Sequence, residues 1–219
     1  MNALIKICGL STPETLAAAL DAGADMVGFV RFPKSPRHVT LDLGHRLSLQ
    51  AKGRARRVVL LVDPGDEDIA QAVEAINPDL IQLHGSETPE RVAEIRAIVR
   101  RPVMKALGVA EKRDLEALAS YATGSDHIVL DAKPPRTADA LPGGNGISFD
   151  WKLLNGLDPA LPIMLSGGLN PDNVAEAIRL TSPRAVDVSS GVESGPGLKD
   201  SRKIEAFIKA ARTAFAAQS

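Results

Sequence analysis

The sequence predicts a single closed barrel of eight parallel strands, each followed by a helix: the α/β class known as the (β/α)₈ or TIM barrel. Three observations carry this reading. Eight apolar runs of strand length alternate with helical patterns along 219 residues. The runs show no strict alternation of apolar and polar residues, as a parallel sheet covered by helices requires. The last two runs, Ile163 to Leu165 and Ala185 to Val188, both break into small residues, Ser166-Gly167-Gly168 and Ser189-Ser190-Gly191. Glycine lets a backbone approach a ligand closely, and serine adds a hydroxyl donor. Two such turns side by side can hold a phosphate dianion, and in barrels the loops after strands seven and eight often do so. An open doubly wound sheet is the competitor. The count of eight, and the lack of G-x-G-x-x-G after the first strand, favour closure. No linker-like stretch divides the chain, so residues 1–219 read as one domain.

The elements follow in order. Ala3 to Ile7 is the first strand, ending in Cys8-Gly9. Ser11 with Glu14 fits a capping box, Pro13 belongs in a first helical turn, and the helix runs to Ala22 before Gly23. Met26 to Val30 is the second strand. It leads into a loop, Arg31 to His38, whose two prolines exclude regular structure. Leu41 to Ala51 is helical, Arg57 to Val62 is the third strand, and Asp66 to Ile76 is its helix. Leu80 to Leu83 is the fourth strand, ending in His84-Gly85. Thr88 caps the helix that Pro89 begins. Val103 to Leu107 is the fifth strand, interrupted by Lys105, and residues 111 to 122 are its helix. His127 to Leu130 is the sixth strand, ending at Asp131. A long loop with Gly143-Gly144-Asn145-Gly146 then reaches a short helix from Trp151. The seventh strand is followed by a helical pattern from Asp172, and Lys199 to Ala217 is the final helical region.

Composition narrows the function classes. With 26 Lys plus Arg against 27 Asp plus Glu, the chain lacks the basic footprint of a nucleic-acid binder. Aromatics at 3% leave no platform for stacking bases. One cysteine cannot form an internal disulfide and fits a reducing compartment. No apolar run approaches the ~20 residues that span a bilayer, and Lys6 within the first apolar run argues against a signal peptide. The expectation is a soluble cytoplasmic protein with no membrane or nucleic-acid partner.

Residues just past the strand ends of a barrel face one common mouth. That rule selects Cys8, Arg37, Gln82, His84, Asp131, Ser166 and Ser189. Each also has an ordinary explanation. A lone cysteine is commonly a small buried hydrophobe, but Cys8 lies at a strand end with a helix start close by, which favours thiolate. A strand-end aspartate such as Asp131 is often a turn residue. In a low-dielectric mouth it can instead be a general acid. Arg37 sits in a proline-fixed loop, where a guanidinium can grip a carboxylate with two hydrogen bonds. Gln82 and His84 are weaker candidates, and nothing has zinc-ligand spacing, so no metal is expected. Lys6 and Lys133 read as paired or snorkelling charges.

Taken together, KICGL, FPKSPRHV, LIQLHG, HIVLDAK, GGNG with FDW, LSGGLNPDNV and VDVSSGVE with PGLKD resemble the phosphoribosylanthranilate isomerases of tryptophan biosynthesis. The likeness runs from the first strand to the last helix in the family's order. It implies a barrel without a cofactor. It also implies an Amadori rearrangement of N-(5-phosphoribosyl)anthranilate to 1-(2-carboxyphenylamino)-1-deoxyribulose 5-phosphate. By this resemblance Cys8 is the general base and Asp131 the general acid, while Arg37 faces the anthranilate carboxylate; Gln82 and His84, at the end of the fourth strand, are expected to bind substrate as well. The phosphate loops map onto Gly143, Gly144, Asn145 and Gly146, Ser166 to Gly168, and Ser189 to Gly191. Asn145 departs from the GGTG or GGSG expected there. The expected partner is a small phosphoribosyl substrate, and the expected assembly a monomer or homodimer.

Three other readings stand beside this one. A related isomerase of histidine biosynthesis performs the same rearrangement with an aspartate where Cys8 stands, on a substrate with two phosphates. Indole-glycerol-phosphate synthase shares the barrel but needs a lysine and glutamate constellation that no motif here supplies. A phosphate-binding barrel without catalysis is the third, and intact Cys8 and Asp131 argue against it.

Overall fold

The computed structural model describes residues 3–134, 141–158 and 162–218. Residues 135–140, in the long loop expected after the sixth strand, lie outside the described residues, as does Leu161 before the seventh strand. Eight parallel strands close into a barrel in sequence order: β1 (Leu4–Cys8), β2 (Met26–Val30), β3 (Arg56–Leu61), β4 (Leu80–Leu83), β5 (Val103–Val109), β6 (His127–Ala132), β7 (Ile163–Leu165) and β8 (Ala185–Val188). The ring closes where β1 pairs with β8, with Lys6 opposite Asp187. The helices outside are α1 (Pro13–Asp21), α2 (Leu41–Ala51), α3 (Asp66–Ile76), α4 (Pro89–Val99), α5 (Leu118–Ala122), α6 (Val174–Thr181) and α7 (Ser201–Ala216).

Successive strand residues point to opposite faces, so each strand divides its side chains between two environments. Ile5, Ile7, Val27, Phe29, Val59 and Ile81 belong to the large cluster that also contains helix residues such as Leu16, Leu47, Ile69 and Phe207. Their neighbours Met26, Val58, Leu80, Met104, Val129, Met164 and Ala185 form a separate cluster inside the ring. Both faces are buried, so neither shows as a polar side in the sequence.

Several boundaries differ from the sequence reading. The first helix is capped by Thr12, whose Oγ1 accepts from Thr15 N–H at 3.3 Å, not by a Ser11–Glu14 box. Pro13 occupies the first helical position, which leaves the preceding residue as the cap. The helix expected over 111–122 is a 3₁₀ turn (Lys112–Ala117) followed by the short α5. There Asp114 accepts from the N–H groups of Ala110 and Glu111 and tightens the start. β5 continues to Val109, and its extra residues pair with Asp131 and Ala132, so Asp131 stands inside β6 rather than past it. The helix from Trp151 is a single 3₁₀ turn, Trp151–Leu154. After β7 the helix begins at Val174, because Asn170 and Asn173 hold a hydrogen-bonded turn ahead of it. The final helix begins at Ser201, capped by Asp200. Before it, β9 (Glu193–Gly195) and β10 (Leu198–Lys199) form a small antiparallel hairpin that the sequence reading did not anticipate.

Lys105 does not interrupt its strand. Its Nζ donates to Glu87 Oε2 and to Gly85 O, both at 2.7 Å, and lies 5.8 Å from the centroid of the Tyr121 ring. Glu87 accepts in turn from the N–H groups of Asp63 and Gly85. This buried ion pair fastens the loop that follows β4 directly after His84. Among the described residues no helix is long and apolar enough to cross a membrane, and no group of His, Cys, Asp or Glu is arranged to hold a metal ion.

The packing inside the ring sets one expectation. Met104→Ala, at a fully buried position, should lower unfolding stability by about 2–5 kcal/mol in urea titrations. A loss below about half a kcal/mol would mean that this cluster does not hold the ring's floor.

Candidate active site

The inward phase of each strand continues from the apolar floor into the mouth. Above Met26, β2 presents Gly28 and then Val30, and above Leu4, β1 presents Lys6 and then Cys8. Two residues beyond Leu80 comes Gln82, and two beyond that His84. Asp131 follows Val129, Ser166 follows Met164, and Asp187 and Ser189 follow Ala185, all at the same spacing. Strand alternation therefore delivers polar groups from five strands into one pocket. Its wall includes Cys8, Arg37, Gln82, His84, Asp131, Asn145, Ser166, Ser189 and Ser190, and its empty space is about 770 Å³ out to the open mouth. Val30, Phe32, Leu60 and Val62 make one wall apolar beside Cys8.

Asp131 is almost fully buried. Its Oδ1 accepts from the N–H of Ala132 at 2.9 Å, and its Oδ2 lies 3.3 Å from His84 Nε2. The other ring nitrogen of His84 lies 3.2 Å from the side-chain amide of Gln82. Gln82, His84 and Asp131 thus form a connected row across the pocket floor. The remaining oxygen of Gln82 is buried without a partner among the described residues. Gly143 lies directly over this row. A β-carbon there would fall 2.5 Å from His84 Nε2 and 2.6 Å from Asp131 Oδ2, so only glycine permits the approach.

Cys8 occupies the opposite wall, because β1 and β6 are not neighbours in the ring. Its thiol is buried, and burial pushes its pKa up. The ammonium of Lys6 pulls against burial, Asp187 adds to it, and Lys199 pulls against it again; the balance stays above the ordinary thiol value. Lys6 itself is held charged. Burial disfavours its charge, but the Asp187 carboxylate at 2.8 Å outweighs this and raises its pKa. Lys6, Asp187 and Lys199 are the charged groups that act on the thiol, and burial outweighs their sum.

Arg37 is buried rather than solvated. Its loop is closed at the base by Val39 N–H donating to Val30 O at 2.9 Å and by Arg31 donating to Val39 O at 3.0 Å. The guanidinium grips a carboxylate with two hydrogen bonds, but that carboxylate is Glu193, at 2.7 and 2.8 Å. Nη2 also donates to Gly144 O at 3.2 Å, while Nη1 has no acceptor among the described residues. Lys199 joins the group, donating to Glu193 Oε1 at 2.6 Å and to Ser189 O at 2.9 Å.

The phosphate loops meet at one side of the pocket. The backbone N–H groups of Gly146, Gly167, Gly168, Ser189 and Ser190 have no acceptor among the described residues, and all five residues line the cavity. Ser190 opens a 3₁₀ turn, whose first N–H groups lack partners within the turn. Three expected contacts are arranged differently. The N–H of Ser166 is used in the barrel, donating to Leu130 O, and its hydroxyl turns toward Asp187. The amide of Asn145 donates to Leu141 O and braces its own loop. Gly191 does not line the pocket; a β-carbon there would collide with Leu169 O, so it brings the last two loops together. Four residues that shape the site were absent from the expected set or assigned no role in it. They are Lys6, Asp187, Glu193 and Lys199. The inward phase of β1 and β8 carries the signal for Lys6 and Asp187. No local signal marks Glu193 and Lys199, since Arg37 lies 156 residues from Glu193.

Comparison with known proteins agrees with this geometry. Residues 5–210 match the family model described as N-(5'phosphoribosyl)anthranilate (PRA) isomerase. The N-(5'-phosphoribosyl)anthranilate isomerase of Azorhizobium caulinodans is 59% identical over 97% of this chain and 93% of its own length. That of Rhizobium meliloti is 53% identical over 99% of this chain and all of its own. The crystal structure of the phosphoribosyl anthranilate isomerase from Thermotoga maritima superposes with a TM-score of 0.87 at 39% identity, covering 96% of this chain and 99% of that one. A further solved isomerase, in complex with reduced 1-(o-carboxyphenylamino)-1-deoxyribulose 5-phosphate, superposes at 0.84 with 36% identity over 96% of this chain and 99% of that one. With a closed eight-strand barrel, a pocket that joins a thiol to a carboxyl group, and a family match over nearly its whole length, this chain belongs to the N-(5'-phosphoribosyl)anthranilate isomerase family.

Proposed function

We propose that this chain performs the isomerase reaction of tryptophan biosynthesis with Asp131 as general acid and Cys8 as general base. The observation that carries the assignment is that these two buried side chains, from strands on different sides of the ring, line one pocket. Backbone N–H groups without an acceptor among the described residues, and Arg37, border the same pocket. The N–H groups of Gly146, Gly167, Gly168, Ser189 and Ser190 suit the sugar phosphate. The unoccupied Nη1 of Arg37 suits the anthranilate carboxylate, and the apolar wall of Val30, Phe32, Leu60 and Val62 suits the aromatic ring.

The chemistry follows from these positions. Opening the ribose ring of N-(5-phosphoribosyl)anthranilate requires a proton on the ring oxygen, and Asp131 in its acid form supplies it. Opening gives a Schiff base between the anthranilate nitrogen and C1′. The positive charge on that nitrogen acidifies the C2′ proton, which the thiolate of Cys8 removes. The resulting enolamine tautomerises to the ketone, 1-(2-carboxyphenylamino)-1-deoxyribulose 5-phosphate. No electrons leave the substrate, so the step needs no redox partner. The cationic Schiff base also stabilises the thiolate when it is needed, adding to Lys6 and Lys199.

The related isomerase of histidine biosynthesis would place an aspartate at position 8, and a cysteine stands there. The enzyme acts in the cytoplasm on a phosphorylated metabolite. It works as a monomer or a homodimer, and both words describe the Thermotoga maritima relative, whose "mutually generated monomers" derive from a dimer.

Cys8→Ser should reduce turnover by about 10²-fold or more, the usual worth of a positioned base, with affinity for the reduced product little changed. Decay of the fluorescence of N-(5-phosphoribosyl)anthranilate measures the first and calorimetry the second; wild-type turnover would remove the thiol from the mechanism. Asp131→Asn should show the same pattern. The pH dependence has a definite sign. The base acts when ionised, and its pKa is raised, so kcat/KM of the free enzyme should climb with pH on a limb above the ordinary thiol range. A limb below that range, or one that survives in Cys8→Ser, contradicts the assignment.

A further inference from the structure

The hairpin β9–β10 stands outside the eight strands of the ring, yet each of its strands places a buried charge at the mouth. Glu193 and Lys199 are partners across the hairpin. Glu193 Oε1 accepts from Arg37 Nε at 2.7 Å and from Lys199 Nζ at 2.6 Å. Its Oε2 accepts from Arg37 Nη2 at 2.8 Å and from the N–H of Gly197 at 3.2 Å. The side chains of Arg37, Glu193 and Lys199 are only 6%, 4% and 1% exposed. Burial would raise the Glu193 carboxyl, but the hydrogen bonds from Arg37 and the nearby Lys199 ammonium outweigh it and hold the group ionised below the usual carboxylate range.

Among the described residues the cluster is unbalanced. Two buried cations, Arg37 and Lys199, face one buried carboxylate in a place poor in water, and burial opposes this surplus by pushing the Lys199 ammonium down. Such a surplus is costly unless an anion completes it. The guanidinium also has an unused side. Glu193 occupies Nε and Nη2, and Nη1 has no acceptor among the described residues. Nη1 lies beside Gly144, in the pocket-lining loop, where a β-carbon would come within 2.7 Å of it. Glu193 thus holds Arg37 from behind and turns its free edge into the cavity.

We propose that Glu193 is a positioning residue that gives the site its preference for a ligand with an aromatic carboxylate. It acts through Arg37 and does not touch the substrate. This rests on the reading of Arg37 as the group that meets the substrate's carboxylate. Charge and geometry predict opposite signs for its removal. Deleting a negative charge beside Arg37 would, by Coulomb attraction alone, strengthen binding of an anion. Releasing the guanidinium from its fixed orientation weakens it, because a two-point grip depends on the plane being held.

The test compares two ligands by calorimetry. One is reduced 1-(o-carboxyphenylamino)-1-deoxyribulose 5-phosphate, and the other is the same compound without its carboxyl group. The second reports the phosphate loops and the ring wall alone, and so serves as the control for folding. In Glu193→Gln the preference for the carboxylated ligand should fall by about tenfold or more, as expected for losing a charge-assisted hydrogen bond, with the other ligand's affinity within about threefold of wild type. Glu193→Gln/Lys199→Met removes one charge of each sign and keeps the cluster's net charge. It should lose the preference equally, and it decides the matter if the single variant binds neither ligand. A preference that is kept or increased overturns the proposal. Arg37→Gln separates the two readings. If that variant loses the preference while the Glu193 variants keep it, Glu193 is not the positioning residue. If Arg37→Gln keeps it, the reading of Arg37 fails as well.

Discussion

Closure of the ring is the constraint on which everything else depends. Once eight strands pair in order from β1 round to β8, each strand must send alternate side chains inward. The floor is then filled by Met26, Val58, Leu80, Met104, Val129, Met164 and Ala185, and the next inward positions have no freedom about where they point. Cys8, His84, Asp131, Ser166 and Ser189 converge because they share the phase of the residues beneath them. The precision of the site is therefore inherited from hydrogen-bonded strands rather than assembled from flexible loops.

The second feature is the number of charges the chain buries. Lys6 with Asp187, Lys105 with Glu87, and Arg37 and Lys199 with Glu193 are all nearly inaccessible. Buried pairs contribute little net stability, since desolvation offsets their attraction. Their value here is geometric. Two of them tie elements that the barrel ladder does not fix. The pair at Lys105 fastens the turn after His84, and Glu193 fastens the loop that carries Arg37. The Lys6–Asp187 pair lies beside Cys8 at the seam of the ring. A thiol surrounded only by hydrocarbon would be hard to ionise, and a nearby ammonium reduces that cost.

The sequence carried most of the strands and several helices, but it carried the site unevenly. Two Thr-Pro-Glu triplets show why local rules succeed and fail. At Thr88-Pro89-Glu90 the threonine is read as the cap, and the structure agrees. At Thr12-Pro13-Glu14 a Ser11 box also fits the pattern, yet the proline again makes Thr12 the cap. Asp131 is legible as a mouth residue because an aspartate at the end of HIVLD is conspicuous, although its strand runs one residue further. Cys8 and the Ser-Gly turns are legible for the same local reason. Arg37 is legible as a carboxylate grip, but not the partner that holds it. Glu193 and Lys199 sit in what reads as a connection to the last helix, and Arg37 meets them only through the fold. Lys6 and Asp187 stand out as charges in apolar runs, but which face they take is legible only from the inward phase of Cys8 and Ser189 two residues on, since both faces of the strands are apolar.

The seam between β1 and β8 also bears on how the protein is made. Lys6 and Asp187 are separated by 181 positions along the chain. During synthesis from the N-terminal end, β1 with Cys8 emerges first, β2 with Gly28 follows at once, and β8 on the other side emerges almost last. For most of translation that thiol therefore lacks β8 and the Asp187 carboxylate that pairs with the Lys6 ammonium. A nascent chain can form helices and pairs of successive strands early, but contacts of such long range come late. The wall around Cys8 is therefore complete only once β8 has joined β1, when nearly the entire polypeptide has left the ribosome.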